Sequence, residues 1–251
     1  MTAFAEWTDW QAARLAALTA PDGWLNLTDR VEIATGPQRV GQGAGNDLVL
    51  SVGPEHLGVL RLTAGEAEFT TPDGVVQGFR AAGGNPVLTV SGLLLELHDA
   101  GDGPALRVRD ILRKPQISLR YFPYDPAWNI LAEWQELPEA QQHRIGQKGA
   151  GDEEVTVTHR AVFTQDGKAH ALLATHWKAG APMFVIRDVT SGHETYAASR
   201  FLIGEVLGTQ VRLDFNRAHS PPCAFTDFAI CPLPPPENRF AEAIRAGEMA
   251  P

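Results

Sequence analysis

Hydrophobic positions along the chain repeat with two different spacings, and the change from one to the other marks its first boundary. From Ala3 to Leu18, Phe4, Trp7, Ala13, Leu15 and Leu18 recur at helical spacing, and Pro21-Asp22-Gly23 then ends the run with turn chemistry. One amphipathic N-terminal helix is predicted. From Trp24 the texture becomes short alternating runs between Gly, Asp, Asn and Pro: 48–52, 58–62, 66–70, 87–90, 93–98 and 105–109. Alternation puts every second side chain on one face of a sheet, so closely spaced runs predict a sandwich or barrel. Pro72-Asp73-Gly74 and Gly101-Asp102-Gly103 supply residues that tolerate positive φ at hairpin tips.

A polar, Pro-containing passage from Leu112 to Ser118 has little to bury, and a domain boundary is placed there. The second half offers strands over 128–137, 154–163, 169–177, 183–188, 196–205 and 209–215, with Asp166-Gly167 as a tight hairpin. The segment from Glu139 to Gly151 reads as an exposed loop, and Pro236 as the start of a short helix running to Ala246, stopped by Gly247. The expected organisation is a helix over 1–22, a β sandwich over 23–112 and a second antiparallel β domain over 113–251. The fold class is mainly β, with short helices at both termini.

Charge narrows the function classes. A formal net charge of -9 and a pI near 5.3 repel nucleic acid and anionic membranes, and no run of Lys and Arg offsets that field. The longest greasy segment, Val87 to Leu97, is interrupted by Thr89, Ser91, Gly92 and Glu96, short of the roughly 18–20 residues a membrane helix needs. Met1 to Trp10 carry no basic cluster followed by an apolar stretch, so the expected location is the cytoplasm.

Residues Arg39 to Leu60, R-V-G-Q-G-A-G-N-D-L-V-L and then P-E-H-L-G-V-L, resemble the core of a forkhead-associated domain, a β sandwich that reads phosphothreonine. Gly41, Asn46, Asp47 and His56 match that family's pattern. Where the family has Ser-Arg, this chain has Pro54-Glu55, and a carboxylate there repels a phosphate dianion. The resemblance implies a sandwich without a phosphopeptide partner. On the residues alone, Asn46-Asp47 also reads as a turn and His56 as a backbone-satisfying side chain.

The run from Leu213 to Arg239, L-D-F-N-R-A-H-S-P-P-C-A-F-T-D-F-A-I-C-P-L-P-P-P-E-N-R, resembles the signature of a bacterial and archaeal domain-of-unknown-function family, number 1684. That signature usually reads F-N-R-A-Y-N-P-P-C-A-F and then C-P-L-P-P-P-E-N-R. Arg120 to Pro126 and Arg187 to Leu202 resemble the same family. The chain departs from the pattern at His219 and Ser220, where Tyr and Asn are commoner, and at Ala198-Ser199. The resemblance implies no activity.

Six prolines between Pro221 and Pro236 fix φ and remove donors, which predicts a rigid, extended segment. Asp214, Asn216, Arg217, Glu237 and Asn238 gather polar groups about it, and Arg187, Asp188, Tyr196 and Arg200 are expected to join them from neighbouring strands. Arginines beside Asn and Tyr donors suit a small polar or anionic molecule, so Arg187, Tyr196, Arg200, Asn216, Arg217 and Asn238 are the ligand-binding candidates. A purely structural network is the competing reading. A hydrolase would draw its base from Asp214 or Glu237, and a structural or protein-interaction module is the third class.

Cys223 and Cys231, with seven residues between them, lack the short C-x-x-C spacing of structural zinc sites. No cofactor is predicted. Zinc held by the two cysteines with His219 or His193, a disulfide, a nucleophilic Cys223 served by His219 or Arg217, and two buried thiols all stay open. Tyr121, Phe122, Tyr124, Trp128 and Trp134 are read as core.

Overall fold

The computed structural model describes residues 2–63, 66–81, 84–99, 103–149 and 151–251. The chain is mainly β and divides into two compact units, one of Met1–Leu15 with Ile117–Pro251, the other of Ala16–Gln116. Of helix α1 (Ala3–Thr19), the residues up to Leu15 fall in the first unit and those from Ala16 in the second.

In the unit Ala16–Gln116, short strands run as β1 (Leu27–Glu32), β2 (Gly36–Gly41), β3 (Leu48–Val49), β4 (Gly58–Thr63), β5 (Glu66–Thr70), β6 (Val76–Gly78), β7 (Arg80–Ala81), β8 (Pro86–Val90), β9 (Leu93–Asp99) and β10 (Pro104–Asp110). They form two five-stranded sheets, β1-β10-β9-β8-β7 and β3-β2-β4-β5-β6, antiparallel except where β2 meets β3. Alternate side chains of both sheets, Val40, Leu60, Phe69, Leu95, Leu106 and Val108 among them, are fully buried in one core. Of the predicted turn at Gly101-Asp102-Gly103, the first two residues lie outside the described residues, and Gly103 has a φ of 107°.

The other unit holds β11 (Asn129–Ile145), β12 (Gln147–Lys148), β13 (Glu153–Gln165), β14 (Lys168–Leu173), β15 (His176–Lys178), β16 (Ala181–Ile186), β17 (Arg200–Leu207), β18 (Gln210–Asp214) and β19 (Cys231–Pro232). Seven of them form an antiparallel sheet in the order β14-β13-β11-β18-β17-β16-β15, and β12 pairs with β19. The predicted strand 169–177 is in fact two strands, at opposite ends of that order. The sheet curls enough for one side chain to join its two sides: Asn238 Nδ2 donates to Leu173 O in β14 and to Val185 O in β16, 3.0 Å each, while Oδ1 accepts from Leu173 N at 2.8 Å.

Two expectations are corrected. The segment from Glu139 to Gly151 is not a loop, because β11 continues to Ile145 and pairs again with β13 from Gln141 onward. The ladder breaks between Glu136 and Gln141, where Pro138 has no N–H to donate, and resumes because Ile145 packs with Val155, Val157 and Leu173. Nor does Pro236 open a helix to Ala246. Only a 3-10 turn forms over Pro236–Asn238, and the chain then stays irregular. Its backbone is committed elsewhere: Phe240 N donates to Arg187 O, and the carbonyls of Ile244 and Ala246 accept from Arg200. A helix would have to withdraw those groups. Gly247 serves a close approach rather than a helix stop, for a Cβ there would lie 2.4 Å from Ala218 O at a φ of 87°.

Candidate functional site

The Pro-rich segment lies along the curled sheet, and most of its polar side chains are consumed in placing it. Asp214 closes β18 and caps the turn Phe215–Arg217, its Oδ1 accepting from Asn216 N and Asn216 Nδ2 at 3.1 and 2.9 Å. Asn216, 1 % exposed, also exchanges both side-chain hydrogen bonds with the Asp125 backbone. Arg217 pairs with Asp214 at 3.1 Å and faces Glu6 at 3.7 Å. Asn238 is saturated by the backbone of β14 and β16.

Arg200 is buried with Asp188, 2.5 Å between Nη2 and Oδ2; Nη2 also donates to Ile244 O and Nη1 to Ala246 O. Arg187 is exposed at the end of β16, bonded through its backbone to Asn238 and Phe240. Glu237 is exposed on its 3-10 turn. The expected convergence of Arg187, Arg200 and Arg217 on one ligand is therefore not the arrangement of these side chains. Arg200 and Arg217 face carboxylates and carbonyls of the protein itself, and the hydrolase candidate Asp214 is occupied as a cap.

One predicted residue does stand beside chemistry. Tyr196 Oη donates to Cys223 O at 2.7 Å, lies 3.7 Å from Cys223 Sγ, and accepts from Lys148 Nζ at 2.5 Å. Lys148 Nζ also donates to Cys223 O at 3.1 Å and sits 5.2 Å from the centre of the Tyr196 ring. Cys223 lies in the 3-10 turn Pro222–Ala224, entered through Pro221. Its backbone N–H points at Cys231 Sγ, 3.3 Å away. Cys231 is placed by the short β12–β19 ladder, directly opposite Lys148. Both cysteines are free and buried, 5 % and 2 % exposed.

The electrostatics of the two sulfurs diverge. The Cys231 thiol hydrogen-bonds to Cys223, and with Tyr196 and Lys148 it outweighs burial and brings the Cys223 thiol down to about 7. Cys231, donating that bond and deeply buried, is driven far up and keeps its proton. Burial raises the Tyr196 phenol, while Lys148, bonded to it, is held above the usual lysine range. The cluster thus has one acidified sulfur, one thiol that holds its proton, and a phenol and an ammonium beside them. It has no third metal ligand: among the described residues, no group of three His, Cys, Asp or Glu could hold an ion.

A second polar group lies around His219. His219 pairs with Phe201 through its backbone and is buried near Trp10. Burial, then the charges of Arg14 and Lys178, bring its imidazole down to about 3, so it stays neutral. Arg14 donates to the fully buried Glu248 and to Ser220 O. Ser220 Oγ and Tyr121 Oη, both buried, have no hydrogen-bond partner among the described residues.

Lys148 was not among the sequence candidates. It falls in the segment read as loop, and its placement depends on a pairing with β19 that local pattern does not encode. Arg14, Lys178 and Glu248 escaped for the same reason, since they come from both ends and the middle of the chain. In the unit Ala16–Gln116, the residues that resemble a phosphopeptide reader serve their own loops. Asn46 donates to Gly43 O and Glu55 O and meets His56 Nδ1 at 3.0 Å, while Asp47 is paired with Arg39.

A family model described as protein of unknown function, DUF1684, matches residues 117–249. No curated protein matches the chain. Among solved structures, the solution NMR structure of an uncharacterized protein from Haloarcula marismortui is 26% identical, covers 52% of this chain and 75% of its own, and superposes with a TM-score of 0.42. No helix among the described residues is long and apolar enough to cross a membrane.

Proposed function

We propose, from the premise that the chain belongs to the DUF1684 family, that it carries out thiol chemistry, with Cys223 as a nucleophilic thiolate toward small electrophiles. The observation that carries this reading is the gathering of three groups about Cys223: Tyr196 Oη 3.7 Å from its sulfur, Lys148 Nζ on that hydroxyl and on Cys223 O, and Cys231 Sγ against the Cys223 amide. Thiolate, not thiol, attacks, and nearby donors and a cation favour the charged form. Exposure of only 5 % at Cys223 restricts the reactant to a small molecule.

The test is the pH dependence of alkylation by iodoacetamide, with mass-spectrometric assignment of the modified cysteine. Cys223 is expected to react first, with a midpoint near neutral pH. Equal reactivity of the two cysteines, or a midpoint at the ordinary thiol value, overturns the reading.

A small-anion site remains a second reading, moved to Arg14 and Lys178. Ser220 Oγ and Tyr121 Oη supply donors there that have no partner among the described residues. Titration calorimetry with inorganic phosphate on wild type and Lys178→Ala decides it: binding weakened by the substitution supports the site, and no binding to wild type removes it.

A further inference from the structure

We propose that Cys223 and Cys231 are a redox pair that a small hydroperoxide converts to an intramolecular disulfide, Cys223 being oxidised first and Cys231 resolving it. This rests on the nucleophilic reading of Cys223 and assigns its substrate class and its product. Three observations carry it beyond that reading.

The first is proximity without a bond. The sulfur of Cys231 lies 3.3 Å from the Cys223 amide nitrogen, and both thiols are free. Seven residues separate them, and the prolines on either side, Pro221 and Pro222 before and Pro232 after, limit the excursions of that loop. The second is the asymmetry of the pair. Cys223 has Tyr196 and Lys148 beside it, whereas Cys231 sits in the β12–β19 ladder and is 2 % exposed. Two equivalent thiols would leave the order of attack undecided; here the less buried cysteine is also the one with Tyr196 by its sulfur and Lys148 on its carbonyl. The third is the make-up of the cluster: among the described residues, no third His, Cys, Asp or Glu joins the two cysteines in a group that could hold an ion.

The chemistry balances. The Cys223 thiolate attacks one oxygen of the hydroperoxide; a sulfur–oxygen bond forms, the oxygen–oxygen bond breaks, and the alkoxide leaves with a proton from solvent or from the Tyr196–Lys148 pair. Cys223 is then a sulfenic acid. The sulfur of Cys231 attacks Cys223, the sulfur–sulfur bond forms, and hydroxide departs and combines with the Cys231 proton as water. Two thiols and one hydroperoxide yield one disulfide, one alcohol and one water, with two electrons passing from the sulfurs to the oxygens. A dithiol reductant reverses the change.

The experiment treats the reduced full-length protein with one equivalent of hydrogen peroxide and follows intact mass and peptide maps. Wild type is expected to lose two hydrogens and yield a 223–231 cross-linked peptide that dithiothreitol reopens. Cys231→Ser is expected to stop at a sulfenic acid on Cys223 that dimedone traps, and Cys223→Ser to remain at its starting mass. If iodoacetamide finds Cys223 acidified but peroxide gives no cross-link in wild type, the redox assignment falls while the nucleophilic reading stands. If Cys223 is neither acidified nor oxidised, both fall. Oxidation that begins at Cys231 in the Cys223→Ser variant overturns the proposed order.

Discussion

The Tyr196 hydroxyl lies 2.7 Å from Cys223 O and 3.7 Å from Cys223 Sγ, with Lys148 Nζ at 2.5 Å on its other side. Its one proton lies on Cys223 O while the thiol is neutral and can turn to Sγ when the thiolate forms, with Lys148 to orient the hydroxyl. Donors favour the thiolate, so Tyr196→Phe is expected to raise the alkylation midpoint of Cys223 by about 1 pH unit, the worth of one hydrogen bond of about 1–1.5 kcal/mol. The rate falls at pH 7 and converges with wild type at high pH. A rate–pH profile with iodoacetamide reads both limits, and an unchanged midpoint removes Tyr196 from the site.

Arg200 and Asp188 are a fully buried ion pair whose arginine also holds the carbonyls of Ile244 and Ala246. Removing one charge strands the other in the core, which costs roughly 3–5 kcal/mol. Arg200→Ala is expected to lose about that much in urea unfolding, and the double variant with Asp188→Ala less than the sum of the two single losses. Additive losses would mean that the two side chains stabilise the fold independently.

Asn238 meets two acceptors and one donor with its amide, all of them backbone. Asn238→Ala leaves those buried groups unpaired, and a loss of about 2–4 kcal/mol is expected, since each stranded group costs roughly 1–3 kcal/mol. Asn238→Asp is expected to do no better, because a carboxylate would face Leu173 O and Val185 O. Thermal unfolding of both variants is the measurement; an aspartate variant as stable as wild type contradicts the assigned amide orientation.

His219 sets a pH window. Its folded value of about 3 lies below the ordinary histidine value of 6.5, so the unfolded chain binds the proton first as pH falls. The stabilisation is complete above about 6.5 and is lost progressively down to about 3. His219→Gln, which cannot ionise, is expected to flatten the stability–pH curve between those limits. Equal slopes for both proteins in urea titrations from pH 7 to pH 4 would rule out a neutral buried imidazole.

Strands β4, β5, β8, β9 and β10 were legible because alternation of side chains is a local property, set by a two-residue repeat and punctuated by Gly, Asp and Pro, whereas β6 and β7, two or three residues long, are too short to show it. The turn-forming helix end at Pro21-Asp22-Gly23 was legible on the same grounds. Asn216 and Asn238 were recognisable as important polar residues, with a ligand-binding and a purely structural role both open. The same amide can meet a ligand or a backbone, and only the curl that joins β14 to β16 decides which. The polar run before Ile145 misled for a related reason: its ladder with β13 forms because Ile145 finds a buried cluster that composition cannot reveal.

The amino-acid sequence by itself determined that the chain is mainly β, where many of its strands lie, that it belongs with the family defined over its second half, and that Cys223 and Cys231 share one rigid segment. The tertiary structure decided what those groups do. It took Arg200, Asn216 and Asn238 for the framework and left Tyr196 with Cys223, and it brought Lys148 beside them from a different strand. Local order follows from steric rules that act over a few residues, whereas the state of a thiol depends on charges and donors whose distance in space is unrelated to their distance along the chain.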